Sequence, residues 1–303
     1  MGRRVRLPAS PAPQSVKVPG GRTIAIEEYG NSTGPVVLYF HGWPASRLEA
    51  GLIQNLPIRM LALDRPGYGQ STPMPGRTLL DWAADVAHVT KSLGIDRFHV
   101  VGLSGGGPYA AACAYALPGR VLSLSLVSPV PPPELVPRDT PGIGLLFRLG
   151  RHPRLTHRLF AMARPLLRHR LITPRTFIGA GLPAADRDVL TRPMMAGLGA
   201  AWREGFRHSV HGALSDAQIY ARPWGFDLAQ IAVPTSLWCG GQDSLIPVAT
   251  LAPYAAIPGI DWTLMPDEGH FSLAIRHATA ILAAMMSRSS KASQAQLSSS
   301  LSQ

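Results

Sequence analysis

Phe98-His-Val-Val-Gly-Leu-Ser104-Gly-Gly-Gly-Pro-Tyr-Ala-Ala-Ala-Cys-Ala-Tyr-Ala116 is the stretch whose reading decides the architecture. Phe98–Leu103 is a short apolar run rich in β-formers, as expected of a strand buried on both faces. The small residues from Gly105 to Leu117 read as a helix that stops before Pro118. Between them, Gly102-Leu103-Ser104-Gly105-Gly106 matches G-x-S-x-G. With 30 glycines in 303 residues, chance alone supplies such a match in roughly one sequence of five. Position gives the match its meaning, because a serine at a sharp strand-to-helix turn projects its hydroxyl away from the sheet. Its backbone angles are strained there. Side chains two places to either side would meet the neighbouring strand and helix, and glycine removes them. The helix beginning at Gly105 also turns its free amides and positive dipole end toward the serine.

The same alternation extends to both sides. Ser15–Val18 and Arg22–Tyr29 read as a hairpin joined by Pro19-Gly20-Gly21. Val36–Phe40, Met60–Leu63 and Val121–Val127 read as strands, and Leu79–Leu93 as an amphipathic helix ending at Gly94. From Ser128 to about Ala221 no strand is evident, only Pro/Gly breaks and amphipathic helical stretches. Alternation resumes with a strand at Pro234–Gly240, a helix at Val248–Ala256, a strand at Asp261–Met265 and a helix at Ser272–Ser287. The pattern predicts an α/β protein: a mostly parallel sheet with helices on both faces, and a helical block at about 130–220 inserted between its halves. Residues 1–14 read as a flexible leader, 15–287 as the folded domain and 288–303, polar and of low complexity, as a disordered tail.

Serine attack requires a base, held by a third group. His270, in Asp267-Glu268-Gly269-His270-Phe271, follows one predicted strand and opens the last helix, which puts it in a loop at the sheet edge. Asp243, in Gly240-Gly241-Gln242-Asp243, lies just past another strand, at the same C-terminal edge where open α/β sheets bind ligands. Asp216 and Asp227 are rivals for the role of acid, but they precede that strand. The order Ser104…Asp243…His270 is the one this arrangement uses. His41-Gly42-Trp43-Pro44 follows the strand Val36–Phe40 and would turn the Trp43 amide toward the serine. With the Gly105 amide it would form an oxyanion hole. His41 reads as a brace for that loop, and Trp43 either lines the substrate pocket or packs against it.

Composition narrows the class. A hydrophobic fraction of 46% and a charged fraction of 16% describe a globular chain with a large core. No apolar run reaches the roughly 18 residues of a membrane span. The basic start MGRRVR meets prolines where an export signal needs its apolar run, so a cytoplasmic protein is expected. Cys113 and Cys239 make neither a disulfide framework nor a metal site and read as buried thiols; no cofactor or metal is expected. The net charge of +11 is concentrated centrally: between Glu134 and His211 stand 13 arginines, no lysine and five acids. A solvated helical surface is the simple explanation, with an anion-attracting face or a polyanion- or membrane-docking surface as alternatives. No nucleic-acid motif accompanies the arginines. The expected partner is a small-molecule substrate, with a homodimer open.

His41-Gly-Trp-Pro, Asp64-Arg-Pro-Gly-Tyr-Gly-Gln-Ser71, Gly102-Leu-Ser-Gly-Gly106, Gly241-Gln-Asp243 and Gly269-His270-Phe together resemble the ordered landmarks of the α/β-hydrolase superfamily. They span roughly Arg22 to Ser287. The resemblance implies an eight-stranded, mostly parallel sheet with a helical cap after the sixth strand, and a structural role for Asp64–Ser71. Serine at 104 departs from the aspartate nucleophile of the dehalogenases and epoxide hydrolases of this fold, and Trp43 departs from the second glycine of the proline iminopeptidases. Esterases, thioesterases, C–C bond hydrolases and cofactor-free haloperoxidases remain compatible. The function expected is cleavage of a carboxylic ester or similar acyl bond by Ser104, His270 and Asp243. The alternative is a ligand-binding or signalling protein that keeps the fold with weak or no turnover. The arginines add an anionic substrate as a further expectation.

Overall fold

The computed structural model describes residues 13–53, 56–137, 140, 142–178 and 181–288. Eight strands form one sheet: β1 (Gln14–Val18), β2 (Arg22–Gly30), β3 (Val36–Phe40), β4 (Arg59–Leu63), β5 (Phe98–Leu103), β6 (Val121–Val127), β7 (Thr235–Gly240) and β8 (Asp261–Met265). Their spatial order is β1-β2-β4-β3-β5-β6-β7-β8. β1–β2 and β2–β4 pair antiparallel, and the five remaining pairings are parallel. The eight-stranded, mostly parallel sheet with helices is that of the α/β-hydrolase fold expected above.

The continuous apolar strands follow from burial on both faces, since successive side chains point to opposite sides. Leu38 and Phe40 of β3 join the core on one face with Trp82, Tyr109 and Cys113. Val37 and Tyr39 join the core on the other, with Val101, Trp238 and Met285. Trp82 belongs to α1 (Leu79–Ser92), which is opened by a reciprocal Thr78–Asp81 capping box. α2 (Gly107–Ala116) follows the elbow and buries eight of its ten residues.

β3 has β4 on one side and β5 on the other. The chain leaving β3 and the chain leaving β5 therefore depart toward opposite halves of the sheet, opening a crevice at the C-terminal strand ends between them. Between β6 and β7 the described residues form six α-helices: α3 (Ile143–Arg151), α4 (Pro153–Arg168), α5 (Pro174–Ile178), α6 (Ala184–Val189), α7 (Arg192–Gly205) and α8 (His211–Tyr220). The last part of the chain holds α9 (His270–Arg276) and, after a bend at His277, a helix over 278–288.

Several details differ from the sequence reading. The segment Val248–Ala256, expected as an α-helix, is a 3-10 helix with Pro253 inside it, where proline cannot donate the bond an α-helix needs. The helix after the elbow starts with a 3-10 turn at Ser104–Gly106. The final helix starts two residues earlier than expected and breaks at His277. Gln14, assigned above to the leader, already pairs with Ile26 in β1, and Arg288 is helical and pairs with Asp261. The rest of the expected leader, 1–12, and of the expected tail, 289–303, lies outside the described residues. No helix among the described residues is long and apolar enough to cross a membrane.

Candidate active site

Ser104 directly follows β5 with φ of 52°, a left-handed conformation that a serine holds only when its surroundings fix it. They do so through the glycines. A Cβ on Gly102 would stand 2.6 Å from the Gly106 carbonyl oxygen and 2.7 Å from Ala110 Cβ, and one on Gly106 would run into the Phe40 carbonyl. Strand and helix thus pack through the positions flanking the serine. Its own carbonyl accepts from Val130 N–H at 3.0 Å.

β7 delivers Asp243. Its Oδ1 accepts the N–H groups of Leu245 (2.9 Å) and Ile246 (2.8 Å). Its Oδ2 accepts from His270 Nδ1 at 2.7 Å. Only 5% of Asp243 and 6% of His270 is exposed, so the pair is largely shielded from screening by water. Burial lowers the His270 pKa, but the charge and hydrogen bond of Asp243 raise it by more, and it ends above the usual imidazole value. Ser104 and His270 line the same cavity, although no hydrogen bond joins their side chains among the described residues. The structure thus brings Ser104, Asp243 and His270 to one edge of the sheet.

The group that holds the His270 backbone from behind carries no local sequence signal. Asp186 of α6 is fully buried and receives the N–H groups of His270 (3.0 Å), Phe271 (2.9 Å) and Ser272 (2.8 Å). It is a carboxylate set on the first turn of α9, where amides lack intrahelical partners. A cap 84 residues away leaves no local pattern to read.

The loop after β3 faces the elbow. A Cβ on Gly105 would lie 2.8 Å from Trp43 Cβ and 3.0 Å from Trp43 N, so the Trp43 and Gly105 backbones are in close contact. The Gly105 N–H is in the first turn of its helix, where amides are unpaired within the helix. Trp43 Nε1 donates to the Ala213 carbonyl at 3.0 Å, and its ring tilts against Phe160 at 5.9 Å. Trp43 therefore both lines the cavity and ties the loop to the inserted helices. His41 is fully buried and donates from Nδ1 to the Gly42 carbonyl at 2.9 Å. Burial, with Arg65 nearby, holds its pKa well below the usual range, as suits a brace and not a proton carrier.

Glu49, also missed in the sequence, accepts from Gly42 N–H at 2.6 Å and from Tyr39 Oη at 2.8 Å. It lines the cavity. Burial raises its pKa despite those two donors. A lone acid in a 3-10 segment carries no spacing signal.

Asp216, one rival for the orienting acid, lies elsewhere. It is fully buried with Arg65 (2.7 Å), Arg77 (2.6 Å), Tyr68 (2.9 Å), Tyr109 (2.5 Å) and Tyr220 (3.0 Å). Burial raises its pKa, but the two arginines lower it further, and it stays below the usual carboxylate range. The cluster supports the site from beneath: Arg65 donates to the His41 carbonyl at 2.5 Å and Tyr220 to the Gly105 carbonyl at 2.7 Å. Asp227, the other rival, accepts from Ala229 N–H at 2.9 Å at the start of a 3-10 turn. Asp64 is spent on structure, accepting from Arg47 Nη1 (2.5 Å), Arg47 N–H (2.8 Å) and Gln70 N–H (3.1 Å). Cys113 and Cys239 are both buried, and no three metal-ligating side chains converge among the described residues.

The cavity above Ser104 measures about 720 Å³. Leu145, Leu149, Phe160, Met194 and Leu198 contribute to a wall that is overwhelmingly apolar. Among the described central arginines only Arg164 reaches it, and Arg164 is engaged with the carbonyls of Phe206 (2.8 Å) and Arg207 (2.7 Å). The expectation of an anionic substrate therefore finds no support in the cavity: the other described central arginines do not line it, and the guanidinium of the one that does is turned to backbone carbonyls.

A buried acid–imidazole pair beside a strained serine, at the crevice of this sheet, defines a class, and the family comparison agrees. The family model for the alpha/beta hydrolase fold matches residues 35–275, and the chain belongs to that family. The dihydrolipoyllysine-residue acetyltransferase component of the acetoin cleaving system of Cupriavidus necator is 32% identical over 243 residues, which are 78% of this chain and 59% of that relative. The chain thus spans less than two-thirds of that protein's length. The non-heme chloroperoxidase of Streptomyces lividans is 29% identical over 265 residues, 84% of this chain and 91% of the relative. A thermophilic esterase from Thermogutta terrifontis shares the fold, with a TM-score of 0.67 at 23% identity over 91% of this chain and 99% of that one.

Proposed function

We propose that the protein is a serine hydrolase that cleaves esters of apolar acyl groups. Ser104 Oγ attacks the carbonyl carbon while His270 Nε2 takes its proton, and Asp243 holds the imidazolium that forms. The N–H groups of Trp43 and Gly105 receive the oxyanion. Collapse of the tetrahedral intermediate breaks the ester C–O bond, and the alkoxide leaves with the proton from His270. Water, deprotonated by His270, then attacks the acyl-enzyme and releases the acid and Ser104. The observation that carries this reading is the buried 2.7 Å contact between His270 Nδ1 and Asp243, which leaves the other ring nitrogen for the cavity that Ser104 lines. Without such a partner a buried imidazole is neutral and unoriented, and a serine hydroxyl beside it is a weak nucleophile.

The wall of the cavity supports an apolar acyl chain, since each buried methylene contributes about 0.8 kcal/mol. The helices α3–α8 would act as the cap that encloses it. The test is labelling with a fluorophosphonate together with turnover of p-nitrophenyl esters of increasing acyl length. Labelling of Ser104 that is lost in His270→Ala, and a kcat/KM at least about tenfold higher for octanoate than acetate, are expected. A folded protein that is not labelled overturns the enzyme reading in favour of ligand binding without turnover. Labelling with no preference for longer chains overturns only the substrate class.

A further inference from the structure

One exposed face of α4 is apolar. Leu155 is 57% exposed, Leu159 41%, Met162 63% and Leu166 42%. Their spacing of four, three and four places them on one side of the helix. Leu145 on α3 and Leu171 after α4 add 58% and 73% exposed side chains. A stripe of this extent is unusual on a chain that meets only water. It also reaches the active-site cavity, because Leu145 and Leu159 belong both to the exposed set and to the cavity wall.

Charge accompanies the stripe in one sign only. Residues 140–185 hold eight arginines and no acid. By helical geometry Arg154 and Arg158 of α4 lie along one flank of the stripe, each one step of rotation from a leucine, and Arg151 closes α3 just before them. Phe160 and Ala163, on the other flank, face the cavity. Arg151, Arg154, Arg158, Arg168 and Arg170 are exposed, and none forms an ion pair with a described residue, whereas Arg22, Arg47 and Arg65 in the body of the protein all do.

We propose that α4 docks the protein on an anionic lipid surface, the leucines entering the acyl boundary and the row of arginines lying among the headgroups. An apolar stripe edged by arginine, with low overall hydrophobicity, is what an interfacial helix requires, and the arginines add attraction to acidic lipid. A second copy of the chain fits less well, because a two-fold contact through this face sets each arginine row against a like-charged surface. A nucleic acid would satisfy the arginines and leave the leucines in water. Docked in this way, the cavity mouth at Leu145 and Leu159 opens toward the lipid. The docking itself does not rest on the hydrolase reading, since vesicle binding needs no turnover.

Flotation of the full chain with vesicles of phosphatidylcholine alone, or with one-third phosphatidylglycerol, tests the proposal. Partitioning at least about tenfold stronger onto the acidic vesicles, weakened by high salt, is expected. Leu155→Glu with Met162→Glu, and separately Arg154→Glu with Arg158→Glu, should each lower it by at least about tenfold. The circular dichroism of both variants and any cleavage of a water-soluble short-chain ester should be unchanged, as none of these four residues lines the cavity. Equal binding to both vesicle types, or to neither, overturns the proposal. So does binding that survives the Leu155/Met162 change and is competed by heparin, which identifies a polyanion site. A concentration-dependent dimer that this change abolishes, without vesicle binding, identifies a self-association face and overturns it as well.

Discussion

The carboxylate of Asp186, on an inserted helix, meets the backbone N–H of His270 at 3.0 Å, across 84 residues of sequence. The same carboxylate holds Phe271 and Ser272, so the entrance of α9, and with it the imidazole, is fixed by an element outside the sheet. Asp186→Ala leaves three amides of a buried helix start without an acceptor. A loss of about 1–3 kcal/mol in urea unfolding is expected, together with a fall in kcat. Asp186→Asn, which keeps one acceptor but removes a charge that raises the His270 pKa, should shift the acid limb of the rate profile downward. An unchanged unfolding midpoint in Asp186→Ala would count against this role.

The His270–Asp243 pair sets opposite pH trends for activity and stability. Burial lowers the His270 pKa, Asp243 raises it by more, and the folded value lies above 6.5. In the proposed mechanism only the neutral ring accepts the serine proton, so kcat/KM should rise along an acid limb whose midpoint lies above the ordinary imidazole value. A folded-state pKa above the unfolded one means that the pair stabilises the fold fully below about pH 6.5 and loses that contribution as pH climbs through the folded value. Urea midpoints of Ser104→Ala, with and without His270→Gln, measured across this window, should converge as pH rises. Asp243→Asn should lower kcat by about 10³–10⁴-fold.

Gly105 is tied to its neighbours on both sides. An added Cβ would stand 2.6 Å from Tyr220 Oη and 2.8 Å from Trp43 Cβ. Gly105→Ala should push the Trp43 loop from the elbow and lower kcat by about 10²-fold, with a smaller change in KM. Rates within twofold of the parent would show that the two backbones are not jointly needed.

Asp216 is the counter-charge of two buried arginines, Arg65 and Arg77. Asp216→Ala strands both and should cost about 3–5 kcal/mol, seen as loss of cooperative unfolding or a large fall in Tm. Asp216→Asn keeps the shape and removes the charge, and it should fall between that variant and the parent.

Glu49 separates charge from hydrogen bonding. Its pKa is raised above 4.5 by burial, so the folded state favours the neutral form, and this contribution is lost as pH rises past the unfolded value. At neutral pH Glu49→Gln should be as stable as the parent or more so. Glu49→Ala strands Tyr39 Oη and Gly42 N–H and should lose about 1–3 kcal/mol. Thermal unfolding of the two variants at pH 7 distinguishes them; equal losses would mean that packing alone is at work.

What the sequence determined by itself is local. Runs such as Val36–Phe40 and Phe98–Leu103 are strands because β-branched and aromatic residues fit a sheet buried on both faces. Gly102 and Gly106 flank Ser104 because any Cβ there meets backbone or a neighbouring helix. Asp243 and His270 were legible because each follows a strand, and strand ends in a parallel sheet share one edge. The shift of Val248–Ala256 from α to 3-10 is of the same kind: Pro253 signals it, although the apolar pattern masked the signal. Only the tertiary structure decided the rest. Asp186 on His270, Asp216 between Arg65 and Arg77, and Glu49 on Gly42 are contacts between surfaces brought together by packing, with separations of up to 151 residues in these clusters, and no period or spacing encodes them. The arginine-rich segment shows the limit most clearly. The sequence carries its charge, but which side chains turn to the cavity and which to the outside depends on how α4 lies against Trp43 and Phe206, through Phe160. The physical reason is that a strand or an elbow is selected by interactions among near neighbours, whereas the lining of a cavity is selected by the whole chain at once.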